Sequence, residues 1–342
     1  MFQTTASMNG NSKESTVLGV VVSFSNRNAK VRCSDGNILT CSLKGKITDS
    51  SFQGYKSPVA GDHVSVIPIS KQNGVIESIF ERKSELSRYN EKGETKQVLA
   101  ANIDLVVCIA STRAPPFRAR FIDRVGVMAE YCGLPFLIVC NKIDLGLDVS
   151  IESRLAAFQK LGYGVVKSSV RDSIGIDELR TSLLGKTSVF IGQSGTGKSS
   201  IINCLIPGAD QRIAEISDKH KRGKHTTTLS AMVSSSNGDI DIIDTPGIRR
   251  LAIRNIEPDD LGFYFPDMVP FLGLCEFGAS CTHRYELHCF VKQAVQEGII
   301  HHDRYESYLR MRAELEETRN TKTNESRKPL RSATYKFEDE EW

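Results

Sequence analysis

The sequence predicts a chain of three folded parts: a small five-stranded β-barrel, a doubly wound α/β domain, and a C-terminal helical module built on a Cys/His cluster. Three observations carry that prediction. Residues 17–83 hold short β-like runs separated by turn residues. From Asp104 onward, apolar runs alternate with stretches of helical periodicity, which is the spacing of strand–crossover–strand units. After Gly247 the alternation stops, and Cys275, Cys281, His283 and Cys289 fall within one short stretch. At 342 residues the chain has room for two or three domains.

The bulk composition narrows the possibilities. A net charge of +3 rules out a polycation, so local basic stretches must carry any nucleic-acid argument. No apolar run reaches the length of a membrane span. Met1 to Ser15 is polar and lacks a secretory hydrophobic core, so residues 1–16 are expected as a flexible tail. The cysteines number nine, and Cys33, Cys41, Cys108, Cys140 and Cys204 each sit alone in an apolar or strand-like segment. That pattern fits buried thiols in a reducing cytoplasm better than a disulfide framework.

The barrel strands are expected at Val17–Ser23, Ala29–Cys33, Ile38–Leu43, His63–Ile69 and Gly74–Phe80. Ser25-Asn26-Arg27-Asn28, Asp35-Gly36-Asn37 and Gly61-Asp62 supply the turns. Five strands in this length fit an OB-fold, whose open face commonly takes oligonucleotides, and Lys30, Arg32, Lys44, Lys46 and Lys56 add positive charge. An SH3-like or other small barrel with a solvated basic surface is the alternative. Residues 84–100 are polar around Gly93 and are expected as a linker.

The α/β domain is expected over 101–250. Asp104–Ala110 and Phe136–Cys140 are continuous apolar runs flanking the helical pattern of Phe117–Tyr131. The alternation continues through helix 151–161, strand 164–168, helix 175–184, strand 187–191 and strands near 230–234 and 239–243. Residues 251–319 form the C-terminal module, loop-like to Cys289 and then two helices broken near Gly298. The tail, 320–342, ends Glu338-Asp339-Glu340-Glu341-Trp342, has no apolar face and is expected to be disordered.

Gly192-Gln193-Ser194-Gly195-Thr196-Gly197-Lys198-Ser199 reads G-x-x-x-x-G-K-S. It lies between the strand Thr187–Ile191 and a helix opening with Ser199-Ser200, the context of a phosphate-binding loop. There the glycines let backbone N–H groups close around phosphate oxygens, and the helix N-terminus faces the anion. Lys198 would reach the β/γ-phosphates and Ser199 would offer its hydroxyl to Mg²⁺.

Three further motifs choose the nucleotide. Asn141-Lys142-Ile143-Asp144 follows the strand ending at Cys140 and reads N-K-x-D. The Asp carboxylate would accept from guanine N1–H and the exocyclic amine, and adenine would leave it unpaired at a cost. Ser168-Ser169 follows the next strand, where a backbone amide would support the base. Asp244-Thr245-Pro246-Gly247 ends another strand, with Asp244 holding Mg²⁺ through water and the Gly247 N–H facing a γ-phosphate. Between the loop and this motif lies the charged stretch Asp218 to Thr228. A hydroxyl among Thr226, Thr227 and Thr228 would complete the Mg²⁺ shell; physics does not choose among them, and Thr227 is the working assignment.

The order of these motifs is unusual. N-K-x-D comes first, then Ser168-Ser169, the phosphate loop, the threonines, and finally Asp244–Gly247. Cutting and rejoining a domain preserves its site, because termini lie at the surface. One consequence is that the chain leaving Gly247 runs directly into the C-terminal module.

With the permuted order, the N-terminal barrel and the Cys/His module together, residues 17–318 resemble the RsgA (also called YjeQ) family of circularly permuted GTPases. The resemblance implies an OB-fold, a GTPase domain and a zinc domain. It also implies GTP hydrolysis stimulated by the small ribosomal subunit, with rRNA as the binding surface. Gly223-Lys224-His225-Thr226-Thr227-Thr228 looks like the family's G-R-H-T-T-T switch, with Lys224 replacing Arg.

Phosphoryl transfer needs charge neutralisation and an aligned water. Lys198 and Mg²⁺ would supply the first. Ile248 stands where Ras-like enzymes carry a water-positioning glutamine, which leaves His225, similar to the family's switch His, as the residue to orient water. Cys275-x₅-Cys281-x-His283-x₅-Cys289 offers three thiolates and an imidazole, a closed set suited to structural Zn²⁺. The family usually has four residues between the first two cysteines and Pro-Gly where this chain has Leu287-His288, so His288 is a possible competing ligand. Two other functions fit less well: an RNA-binding scaffold whose nucleotide only regulates affinity, and a permuted GTPase of the large subunit. The sequence points to a monomer in the cytoplasm.

Overall fold

The computed structural model describes residues 16–25, 28–44, 57–90, 95–209, 211, 213, 230–245, 253 and 256–326. Strands β1 (Val17–Ser25), β2 (Asn28–Cys33), β3 (Ile38–Leu43), β4 (His63–Pro68) and β5 (Asn73–Ile79) close a barrel in the order β1-β2-β3-β5-β4. Every neighbour pair is antiparallel except β3 and β5. A register shift between Val21 and Ser23 bends β1, so that one strand can pair with both β2 and β4. Val21, Val31, Cys41, Val64, Val66 and Ile76 fill the interior, as inward positions of alternating strands must. This is the OB-type barrel expected of the N-terminal residues.

The stretch 84–100, expected as a linker, differs. β6 (Glu85–Asn90) and β7 (Thr95–Ala101) pair as an antiparallel hairpin. Its polar composition hid a few decisive apolar positions: Leu86, Leu99 and Ala100 are buried and join the core of the α/β domain, together with Val22 and Ala60 of the barrel. Gly61 (φ +93°) meets this hairpin so closely that a Cβ there would sit 2.0 Å from the Ala101 carbonyl oxygen. Beside it Arg82 forks onto Asp62 at 2.7 and 2.9 Å, with both side chains almost wholly buried.

The central sheet has the order β10-β9-β8-β11-β13-β12. Its strands are β8 (Leu105–Ser111), β9 (Phe136–Asn141), β10 (Gly164–Lys167), β11 (Lys186–Gly192), β12 (Ala231–Ser234) and β13 (Ile240–Asp244). All neighbours are parallel except the β12–β13 pair. The sheet is covered on both faces, which is why β8 and β9 are buried along their whole length and read as continuous apolar runs. On one face Val106, Cys108 and Ile138 pack under α1 (Ala119–Tyr131) and α2 (Val149–Lys160). On the other, Val107, Ile109 and Phe190 pack under α3 (Ile176–Leu183) and α4 (Lys198–Leu205).

After short turns, α5 (Phe290–Gln296) and α6 (His302–Ser326) complete the C-terminal module. The break near Gly298 is where it was expected, but α6 runs seven residues, 320–326, into the tail expected to be disordered; residues 327–342 lie outside the described residues, as do 1–15. Phe265, Met268, Val291, Tyr308, Met311 and Leu315 form a separate core that also takes Val127 from α1. Among the described residues, no helix is long and apolar enough to cross a membrane.

Candidate nucleotide site and metal centre

The phosphate loop turns between β11 and α4 at the carboxyl end of the parallel strands, where open α/β sheets bind ligands. Its glycines are needed for space. A Cβ on Gly192 would lie 2.9 Å from the Ile109 carbonyl oxygen, and one on Gly197 (φ +91°) 2.3 Å from Asn141 Nδ2. Thr196 Oγ1 donates to the Gln193 carbonyl at 2.9 Å and tightens the turn. Ser194, Gly195, Ser199 and Ser200 are exposed at the helix start. Lys198 Nζ is paired with the carboxylate of Asp244, from the end of β13. These two residues stand 46 positions apart in sequence and meet because β11 and β13 are neighbours in the sheet.

The N-K-x-D motif is wired to this loop. Asn141 is buried and donates its amide to the Thr196 carbonyl at 2.9 Å, while its own carbonyl accepts from Ser168 Oγ at 3.2 Å. Lys142, held at φ +63°, lies across the loop, with Nζ donating to the carbonyls of Gly195 (2.6 Å) and Ala114. Ile143 N donates to the Ser168 carbonyl at 3.2 Å. Asp144 accepts from Ser169 Oγ at 2.8 Å, which orients its carboxylate, and Arg171 stands 4.0 Å from its other oxygen.

One expectation needs correction. The amides of Ser168 and Ser169 cannot support a base, because they donate to the carbonyls of Cys140 and Ile174 at 2.9 and 3.0 Å. Both serines are fully buried and act through their hydroxyls, on Asn141 and Asp144. A short isolated bridge between Ser169 and Ile174 captures the backbone, a pairing the sequence pattern did not reveal.

Sequence reasoning also missed Thr112. It is buried after β8, and its Oγ1 donates to the Lys142 carbonyl at 2.8 Å, bracing the N-K-x-D turn. The available signal was its place at the end of a strand central in the sheet. His225, Thr226, Thr227, Thr228, Gly247 and Ile248 lie outside the described residues.

Cys275, Cys281, His283 and Cys289 converge. Their ligand atoms all lie within 4.8 Å of one another, and all four residues are buried. Cys275 Sγ is 3.8 Å from Cys289 Sγ and 3.6 Å from His283 Nδ1, which is 3.4 Å from Cys289 Sγ. A tetrahedral ion with Zn–S bonds of about 2.3 Å sets its ligands about 3.7 Å apart, so the donor set fits such a metal. The additional residue between the first two cysteines is taken up in a turn, with Gly278 at φ +52° and its N–H on the Cys275 carbonyl at 2.8 Å. His288 is exposed and outside the group, so it does not compete. Glu286 organises the loop between ligands, accepting from the amides of Thr282 (2.7 Å), Arg284 (2.8 Å) and Tyr285 (3.1 Å). Burial alone would raise its carboxyl, but the Thr282 hydroxyl, its own amide and the amides of Thr282 and Arg284 bring it down to about 2.

The RsgA GTPase family model matches residues 79–254. Over 311 residues the chain is 39% identical to the small ribosomal subunit biogenesis GTPase RsgA of Chlorobaculum parvum, spanning 88% of this chain and 99% of that one. The relative of the same name in Borreliella burgdorferi is 38% identical over 278 residues, 81% of this chain and 89% of that one. YjeQ from Thermotoga maritima matches with a TM-score of 0.68 at 31% identity, covering 88% of this chain and 98% of its own. YloQ, a circularly permuted GTPase, has a TM-score of 0.65 at 24% identity over 94% and 100% of the two chains, a likeness of fold.

Proposed function

The chain belongs to the RsgA GTPase family and is a GTP hydrolase; on that premise we propose that it works on the small (30S) ribosomal subunit, binding its rRNA late in assembly and leaving after hydrolysis. One observation above all supports the site assignment. Asn141, Asp144, Ser168 and Ser169, the loop 192–199 and Asp244 meet at one end of the sheet although the motifs stand in permuted order.

In this reading Asp144 accepts from the guanine edge, Lys142 lies along the base, and Ser168 and Ser169 hold the two recognising side chains. Amides of residues 192–200 and Lys198 take the phosphates. Ser199 and Thr227 would hold Mg²⁺ and Asp244 would face it, the ion neutralising charge on the phosphates. Binding of the triphosphate with its metal draws Lys198 from Asp244 to the β/γ oxygens, so the pair is a resting arrangement of both groups. His225 orients the attacking water when the partner is bound. Gly247 contacts the γ-phosphate, and loss of that contact moves the C-terminal module.

Cys275, Cys281, His283 and Cys289 would hold one structural Zn²⁺, and the module they tie together serves, with the barrel, as an rRNA-binding surface. The domain limits that accompany this reading place the barrel at 17–83, the GTPase domain at 101–250 and the zinc-binding helical domain at 251–319. The protein acts as a monomer in the cytoplasm.

The test is hydrolysis of GTP and of ATP by purified protein, with and without small ribosomal subunits. Turnover selective for GTP and rising steeply with subunits is expected. GTP binding that subunits leave unaltered would overturn the ribosomal assignment.

A further inference from the structure

Arg32, on β2 of the barrel, reaches into the GTPase domain. Its guanidinium makes two parallel hydrogen bonds to Asp241 of β13, at 2.9 and 2.8 Å, and a third contact to Ser234 Oγ of β12. Ser234 and Asp241 are register partners, so the arginine holds one rung of the β12–β13 hairpin from both strands. Three rungs further along, the same hairpin pairs Ala231 with Asp244. Asp244, about 10 Å along β13 from Asp241 at the strand rise per residue, is the residue that meets Lys198. Through this hairpin pass both chain segments expected to sense the γ-phosphate: β12 follows residues 214–229, and β13 leads into residues 245–247.

The pair is half-buried and bidentate, the geometry in which an arginine–carboxylate contact is directional as well as attractive. A cleft of about 880 Å³ opens beside it, between barrel and hairpin and away from the phosphate loop. Arg32 lines that cleft together with Lys30, His63 and Asn237, and Phe80 adds an exposed ring. A phosphate entering there meets Lys30 and competes directly with Asp241 for the guanidinium.

We propose that Arg32 is a positioning residue for GTP hydrolysis: its grip on Asp241 passes the binding of an RNA phosphate at the barrel cleft along β13 to Asp244. The inference rests on the small-subunit reading given above. RNA in the cleft draws Arg32 off Asp241, which frees the β12–β13 hairpin and lets Asp244 reposition beside the nucleotide that Lys198 already holds. Coupling between sites is reciprocal, so GTP loading must in turn be felt at β2.

Asp241→Asn gives the decisive measurement. An RNA-contact role for the cleft predicts unchanged or tighter subunit binding, since an anion is removed. The coupling role predicts that the hairpin is already free without RNA, so basal kcat rises and the ratio of subunit-stimulated to basal kcat falls about five- to tenfold, at the low end of allosteric coupling. GTP affinity should remain. Arg32→Lys, which keeps the charge and loses the fork, should lower the same ratio without raising the half-saturating subunit concentration. An unchanged ratio in both variants overturns the proposal. If the wild-type protein shows no subunit stimulation, the small-subunit reading fails, and amide hydrogen exchange still tests the coupling. Protection by a non-hydrolysable GTP analogue should reach residues 30–33 in the wild type and stop at β13 in Asp241→Asn. Protection confined to the α/β domain in the wild type would refute it.

Discussion

Asp123 of α1 accepts from Arg304 of α6 at 2.9 Å, across 181 positions of sequence, and both side chains are buried. The same carboxylate takes Arg154 of α2 at 2.7 and 2.8 Å and Ser307 Oγ at 2.6 Å, and Arg304 also forks onto Asp267. This cluster fastens the C-terminal module to the GTPase domain. A buried ion pair contributes little against an apolar replacement, but losing one partner strands the other charge. Asp123→Ala is therefore expected to cost about 3–5 kcal/mol, measured by urea unfolding of the full chain. A cost under about 1 kcal/mol would mean that the arginines find other partners.

Asp144→Asn should exchange the guanine acceptor for an amide and weaken GTP by at least about tenfold, since a buried unpaired polar group costs about 1–3 kcal/mol. Ser169→Ala removes the hydroxyl that orients Asp144 and accepts from the Asp172 amide, and should produce a milder loss, a few-fold. Titration calorimetry with GDP measures both. Equal affinity of Asp144→Asn and wild type for guanine nucleotide would remove Asp144 from base recognition.

His225→Ala is expected to abolish subunit-stimulated hydrolysis while GTP binding stays within about twofold, because general acid–base or water-positioning groups contribute about 10²–10⁴ to rate and little to affinity. Stimulated turnover close to wild type would leave His225 as an RNA-contacting side chain.

The metal centre predicts one zinc per chain, and a cobalt-substituted protein with the intense visible bands of a tetrahedral thiolate site. Strong chelation should melt α5 and loosen α6, since three ligands belong to the hydrophobic core of that module. GTP binding should persist, because the phosphate loop lies on the other core. His288→Ala should leave the metal content unaltered, as its ring is exposed.

What the sequence determined by itself was whatever depends on local spacing. The phosphate loop needs its glycines at fixed offsets, a two-sided parallel strand must be apolar throughout, and a barrel strand must alternate; each leaves a pattern a few residues long. The Cys275–Cys289 set was legible for the same reason, since all four ligands fall in fifteen residues. Tertiary structure decided the contacts made between distant segments. Arg32 with Asp241 and Asp123 with Arg304 are separated by 209 and 181 positions, and no local pattern distinguishes them from solvated charges. The hairpin at 85–101 was missed because a few buried positions, Leu86 and Ala100 among them, outweigh a polar composition only once the α/β core exists to receive them. Ser168 and Ser169 illustrate the limit within the site itself. Their position after β10 was readable, but whether amide or hydroxyl serves the site depended on which backbone partner the fold brought within reach.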